Sequence, residues 1–454
     1  MKNIVLFRNN LRVNDNPALQ SAARSGKILP LYIHDELNTN KPLGSVSKYW
    51  LHNALISLNH DLKNSLVFKK GSTLKILKSI IQELSIDFVY IDRTYTPSEI
   101  ELDIKINSML FDIGVQLKSY NCSLLWEPKN IFKLDESPYK VFTPYYKKGC
   151  LDGPEPPTPV GPTKNIQLIK HNLNTRIDDL NLLKDYSWYL KLNNHWEINE
   201  DAAIAKFSNF INKKINKYKD DRDFPYKDSN SKISPYLRFG MIDVRRMWHN
   251  LNSIPKNSGV THYMSELGWR EFSYYLLYHF PTIQDKNFQK KFDRFKWIND
   301  KNQIESWKYG YTGYPIIDAA MKELWKTGFM HNRMRMVVAS FLVKNLLVDW
   351  RIGEEWFWDC LVDADYASNI AGWQWAAGTG ADAAPYFRIF NPILQGEKFD
   401  SDGIYTKKYI PELENIPIKY IQKPWEYNLG LEYITPIIDY KFSRQRALLT
   451  YQNI

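Results

Sequence analysis

Short apolar runs alternate with helically spaced stretches along the first 125 residues. Ile4–Phe7, Ile28–Ile33, Leu66–Lys69, Phe88–Ile91 and Val115–Tyr120 read as strands. Ser47–Leu62 and Thr73–Leu84 repeat their apolar positions every three or four residues and read as helices. This alternation predicts an α/β domain over 1–125, a Rossmann-like, doubly wound parallel sheet with helices on both faces. Residues 126–195 lose the periodicity. Their segment Gly153–Pro162, GPEPPTPVGP, is too rich in proline for helix or sheet and predicts an extended inter-domain linker. From 196 to 454 the pattern is helical and convincing strands are missing, which predicts a larger all-α domain. Its clearest helices are His262–His279, Pro315–Thr327, His331–Val348 and Glu354–Leu361.

Composition narrows the class. The chain has 454 residues, too many for one ordinary core. Hydrophobic residues make up 44% and no uncharged apolar run approaches the roughly 20 residues of a membrane helix. The start, MKNIVLFRNNLRV, is cut by Arg8 and reads as a strand rather than a signal peptide. Cys122, Cys150 and Cys360 lie far apart without metal-ligand spacing, which suits buried thiols in a reducing cytoplasm. A formal net charge of +10 favours polyanionic partners. The 15 tryptophans can build cores, but they can also stack on bases and flat cofactors.

No triad, HExxH or GxGxxG is present, so an enzyme of this sequence would leave the hard step to a cofactor. Candidate chemistry gathers in the helical region. Asn332, Arg335 and Met336 fall at i, i+3 and i+4 and share a helical face, while Arg333 points elsewhere. The bland reading is a helix start with solvated arginines. Asp363 and Asp365 follow the next helix, where acids either cap the coming helix or hold a ligand. Asn369 and Trp373 share a face, and Trp375 diverges from Trp373 by about 200°. Ser229–Pro235 offers hydroxyls and N–H groups before a helix, a phosphate cradle or an ordinary cap.

These pieces sit inside longer motifs: FRNNLRVNDNPAL near the start, KVFTPYYK at 140–147, RDFP at 222–225, SKISPYLRFG at 231–240, and TGYPIIDAAMKEL through NPILQGEKFD in the second half. Together they resemble the photolyase/cryptochrome family over nearly the whole chain, and most closely its class I cyclobutane pyrimidine dimer photolyases. The resemblance implies an antenna domain joined by a long loop to a helical domain that holds FAD. It further implies light-dependent repair of UV-damaged DNA, a carbon–carbon lyase reaction. Excited FADH⁻ lends one electron to the dimer, the ring opens, and the electron returns. A monomer in a bacterial cytoplasm is the implied setting.

Residue by residue, the resemblance implies FAD contacts from Tyr218, Asn230, Ser231, Lys232, Ile233, Ser234, Tyr263, Glu266, Arg270, Asn332, Arg335, Asp363, Asp365 and Asn369. Arg335 and Asp363 would pair beside the flavin, and Asn369 would face its N5. Trp373, Trp350 and Trp297 would form a chain that returns oxidised flavin to its reduced state. Glu266, Trp269, Asn332, Met336 and Trp375 would line the pocket for a flipped dimer, with Glu266 stabilising the dimer radical. Arg270 is a further DNA contact, and Arg333 and Lys398 would meet the flanking phosphates.

The chain departs from the family pattern at Asn230, where many relatives have Thr, and at Tyr263 and Phe329, where some have Trp. The antenna segments Arg93–Glu99 and Gly44–Trp50 fit only in part, leaving methenyltetrahydrofolate, a deazaflavin or an empty site. Two other activities compete. A signalling cryptochrome of the plant type would carry Asp where Asn369 stands. A (6-4) photolyase would want a histidine acid in the pocket.

Overall fold

The computed structural model describes residues 1–173, 176–183, 188–427 and 433–454. Residues 174–175 and 184–187 of the expected linker, and 428–432 of the expected helical domain, therefore lie outside the described residues. The chain divides into two compact units. One comprises Met1–Tyr189, Trp196–Asn216 and Ser231–Pro281; the other comprises Leu190–His195, Lys217–Asn230 and Thr282–Ile454.

The first unit is built on five parallel strands, β1 (Lys2–Phe7), β2 (Lys27–His34), β3 (Val67–Lys70), β4 (Phe88–Asp92) and β5 (Gln116–Tyr120), in the order β3-β2-β1-β4-β5. The expected strands are all present, with ends shifted by a residue or two. Ile4, Leu6, Leu29, Leu31, Val89 and Ile91 are buried in one core on one face of the sheet, and Val5, Phe7 and Ile28 are buried on the other, as expected of strands covered on both faces. The crossovers are α1 (Pro17–Ser25), α2 (Ser45–Asp61), α3 (Thr73–Leu84) and α4 (Pro97–Asp112). Gly153–Pro162 runs with neither helix nor strand.

The same unit continues with α5 (Glu200–Lys213), α6 (Ser234–Arg238), α7 (Val244–Asn252) and α8 (Ser258–His279). The first motif explains how they are held. The buried Arg12 guanidinium donates to the carbonyls of Gly240, at 2.9 Å, and Cys122, at 2.8 Å. Gly240 has a φ of 62°, and a Cβ there would stand 1.9 Å from the Asn9 carbonyl oxygen, so only glycine fits. Glu200 accepts from the backbone N–H of Val13 at 2.8 Å, closing the N-terminal loop onto α5.

The second unit is helical: α9 (Lys301–Tyr309), α10 (Pro315–Thr327), α11 (Asn332–Ser340), α12 (Trp350–Cys360), α13 (Tyr366–Ala377), α14 (Pro392–Phe399), α15 (Ile404–Tyr409) and α16 (Tyr440–Gln452). The expected helix His331–Val348 is corrected. The α-helix stops at Ser340, a wide turn with i+5 bonding spans Phe341–Asn345, and Leu347 takes a φ of 54°. The cause is tertiary. Lys344 is buried and donates to the Arg388 carbonyl at 3.0 Å, and the buried Asn345 amide donates to Ser443 Oγ at 2.9 Å. No helix among the described residues is long and apolar enough to cross a membrane.

Candidate functional site

The second unit contributes the start of α11. His331 is its N-cap, with Nδ1 accepting from the Arg333 N–H at 3.2 Å. Burial pushes the imidazole down to about 3; the nearby guanidiniums of Arg222, Arg333 and Arg335 add to this, and Asp223 opposes it. The exposed Asn332 and the half-buried Arg335 and Met336 lie on one side of α11, while Met334 is buried on the other. Arg335 donates through Nε to the Met330 carbonyl at 2.8 Å and through Nη2 to both Asp363 oxygens, at 3.0 and 2.9 Å. Asp363 is buried. Asp365 caps α13 by accepting from the Ser368 N–H at 2.8 Å, so part of its bland reading holds.

Asn369, on the first turn of α13, donates from Nδ2 to the main-chain carbonyl of Glu354 at 3.0 Å and to its carboxylate at 2.9 Å. An ionised carboxylate only accepts, so the amide is oriented, and Asn369 Oδ1 is turned away from Glu354. Further along α13, Trp373 is buried edge-on to Phe357 at 4.9 Å and to Trp307 at 6.1 Å. A Cβ on Gly353 of α12 would fall 2.1 Å from the Trp373 ring, so that residue must be glycine. Trp350 opens α12, fully buried, its Nε1 donating to Asn287 Oδ1 at 2.9 Å, with Arg351 4.7 Å over its ring. Trp297 packs on Phe295 at 4.4 Å and is half-buried. Trp375 is half-buried on α13.

Arg333 donates to Asp223 Oδ2 at 2.6 Å and lies 4.5 Å over Phe399; the exposed Lys398 sits 5.1 Å from the same ring. The two cations expected at phosphates thus share one aromatic support. Tyr218 is buried under Arg222 at 5.4 Å, and Asn230 is half-buried. Glu354 and Asp223 were not legible in the sequence as partners. The only available signal was the RDFP motif around Asp223.

In the first unit, Tyr263, Glu266, Trp269 and Arg270 form one stripe of α8 at steps of three and four. Tyr263 is buried and its hydroxyl donates to Ser231 Oγ at 2.9 Å. Glu266 is half-buried, 3.6 Å from His262 Nε2. Arg270 donates to Glu271 at 2.9 Å. Burial pushes the Glu271 carboxyl up to about 7, opposed by Arg270 and by the N–H groups of Leu125 and Trp126. In the serine turn, Lys232 is exposed with a φ of 54°, Ile233 is buried, and Ser234 is exposed at the start of α6. No side chain caps α6.

Each unit carries groups of the kind FAD needs: hydroxyls and N–H groups on the serine turn of the first unit, and an arginine–aspartate pair and an oriented neutral amide in the second. Comparisons agree. Residues 263–453 match the FAD binding domain of DNA photolyase, and residues 3–163 match the DNA photolyase family model. A deoxyribodipyrimidine photo-lyase from Agrobacterium fabrum is 41% identical over 99% of this chain and 97% of its own. Cryptochrome-2 of Arabidopsis thaliana is 32% identical over 98% of this chain and 78% of its own. A crystal structure of a bacterial class III photolyase from Agrobacterium tumefaciens superposes with a TM-score of 0.95 at 40% identity, covering 100% of this chain and 97% of that one.

The chain belongs to the photolyase/cryptochrome family, with its five-stranded parallel α/β domain and helical FAD-binding domain. Within the family it is a DNA-repair flavoprotein of the deoxyribodipyrimidine photo-lyase kind, matching such enzymes at 33–41% identity over nearly its full length, with cryptochromes more distant.

Proposed function

We propose that the chain splits cyclobutane pyrimidine dimers in UV-damaged DNA, as a monomer in the bacterial cytoplasm. The likeness to a class III photolyase supports that branch over the class I expected from the motifs. One observation carries the repair reading: Asn369, anchored by Glu354, presents a neutral acceptor where a plant-type photoreceptor would present an acid. Reduced FAD, if held by Arg335, Asp363 and Asn369 among others, would supply the photoinduced electron chemistry of ring opening. The chain's own residues do the rest. In the first unit Trp269 offers a flat wall for an extruded dimer and Glu266 a carboxylate for the base edges; in the second, Trp375 and Met336 offer apolar surface and Asn332 an amide. Arg333 and Lys398 meet phosphates and carry salt dependence rather than damage specificity. Trp373, Trp350 and Trp297 grade from buried to half-buried, as a route for electrons from the surface requires. The (6-4) reading loses its acid, because His331 is buried, neutral and committed to capping α11.

An antenna belongs to this reading. Trp325 and Trp356 lie parallel within 1°, centroids 6.4 Å apart, with Tyr309 edge-on to both. Lys191 stands 4.4 Å over Trp325 and Lys308 stands 5.1 Å over Trp356, and Trp356 Nε1 is buried without a partner. Two parallel rings flanked by two ammonium groups offer aromatic faces and positive charge to a flat, acidic ligand. A pteridine with an acidic tail, as in methenyltetrahydrofolate, suits this slot. A deazaflavin at the sheet's switch point suits the chain less. There the half-buried Arg8, just after β1, is paired with Asp92 at 3.2 Å and Asp103 at 2.6 Å. Loss of a near-ultraviolet band from the protein in Trp325→Ala supports the slot; a folate band that survives Trp325→Ala and Trp356→Ala overturns it.

The test of repair is a thymine-dimer oligonucleotide incubated with reduced protein in blue light and in darkness. Repair in light alone supports the reading.

A further inference from the structure

The motif KVFTPYYK finds no role in the reading above, yet it packs directly against it. Phe142 lies face-on to Trp269, ring centroids 3.8 Å apart and planes within 11°. Tyr146 follows behind Phe142 at 5.4 Å and 9°, so three rings stack in series. Phe272 closes the side, edge-on to Trp269 and to Phe142, each at 5.9 Å. Gly268 makes room for the stack, since a Cβ there would stand 2.6 Å from the Tyr146 ring. The turn that supplies Phe142 and Tyr146 is itself anchored. The Tyr139 N–H donates to the Tyr275 hydroxyl at 3.0 Å, and that hydroxyl donates to the Ile131 carbonyl at 2.9 Å.

A half-buried indole serves as a wall only if its plane is fixed before the ligand arrives, because ordering it afterwards costs affinity. Phe142 covers one face of Trp269 and leaves the residue half-exposed for the other. We propose that Phe142, backed by Tyr146, is a positioning residue that fixes the Trp269 indole and thereby sets how well damaged DNA is told from undamaged DNA. The proposal rests on Trp269 being a wall for the flipped dimer. It adds no group that touches the lesion.

The experiment measures the affinities of the full-length, flavin-loaded protein for a thymine-dimer duplex and for the same duplex undamaged. Wild type, Phe142→Leu, Phe142→Tyr, Trp269→Ala and the Phe142→Leu/Trp269→Ala double variant are compared at one salt concentration. Stacked pairs of this kind weigh about three- to tenfold. Phe142→Leu, which keeps the bulk and loses the ring, should cut the damaged-to-undamaged ratio by about that factor, with undamaged binding and flavin content unchanged. Phe142→Tyr should restore it. The double variant should lose no more than Trp269→Ala alone. An unchanged ratio in Phe142→Leu, or losses that add in the double variant, overturns the proposal. A wild-type protein without preference for the dimer instead overturns the reading of Trp269, and is distinguished by that control.

Discussion

Asn369 gives the hydrogens of its amide to a single residue, the main-chain carbonyl and the carboxylate of Glu354, at 3.0 and 2.9 Å. The amide therefore cannot flip without losing two bonds, one of them to a charged acceptor. Glu354→Ala should keep the main-chain bond but remove the one to the carboxylate, loosening the amide. Hydrogen bonds to charged groups are worth about 1.5–3 kcal/mol, so the oriented acceptor should weaken by roughly tenfold or more. The expected outcome is faster air oxidation of the reduced flavin, with flavin content retained, followed by absorbance. Glu354→Gln, which can still accept, should fall between the two.

Arg335 gives one nitrogen, Nη2, to both oxygens of the buried Asp363 carboxylate. Removing one partner strands the other. Asp363→Ala should cost about 2–3 kcal/mol, discounted because the Arg335 side chain keeps some solvent contact. Arg335→Leu with Asp363→Leu should cost less than Asp363→Ala alone. Denaturant unfolding of the three proteins checks this, and equal losses would argue that the pair is incidental.

Gly353 leaves room for Trp373 that no side chain can share. Gly353→Ala should cost about 1–3 kcal/mol by overpacking. It should also slow the light-driven reduction of oxidised flavin, because the indole must move. Trp297→Phe should slow the same step without the stability loss. Protein reduced chemically beforehand should repair dimers normally in Trp297→Phe. Flash absorption with and without prior reduction separates these outcomes.

His331 is held near 3 in the folded protein, against an ordinary 6.5. The unfolded chain therefore binds more protons between those values, and stability falls as pH drops through that window. Wild type should lose up to about 2 kcal/mol more than His331→Asn between pH 7 and pH 5. Glu271, raised to about 7, works in the opposite sense, its contribution to stability falling as pH rises from 4.5 to 7, and it cancels in the comparison. Parallel urea titrations check the difference, and matching slopes would show that His331 is not buried in its neutral form.

The strand–helix alternation of the first 125 residues was legible because parallel strands are continuously apolar and their crossovers keep a helical period. The end of α11 was not. The apolar spacing runs on through Val348, while after Ser340 the α-helix gives way to i+5 bonding in which the buried Lys344 reaches Arg388 and Asn345 reaches Ser443. Those partners lie 44 and 98 residues away, beyond any local period. The same limit hid Glu354 and Asp223. The motifs marked Asn369 and Arg333 as notable, but what orients each side chain is a contact visible only after folding.

The most direct measurement is repair of a thymine-dimer oligonucleotide by the reduced, flavin-bound protein under blue light, with a dark control and Glu266→Ala and Trp375→Ala alongside. Repair in light only, lost in Glu266→Ala and weakened in Trp375→Ala, is the predicted result. A flavin-loaded, reduced protein that leaves the dimer intact under the same light would contradict the account.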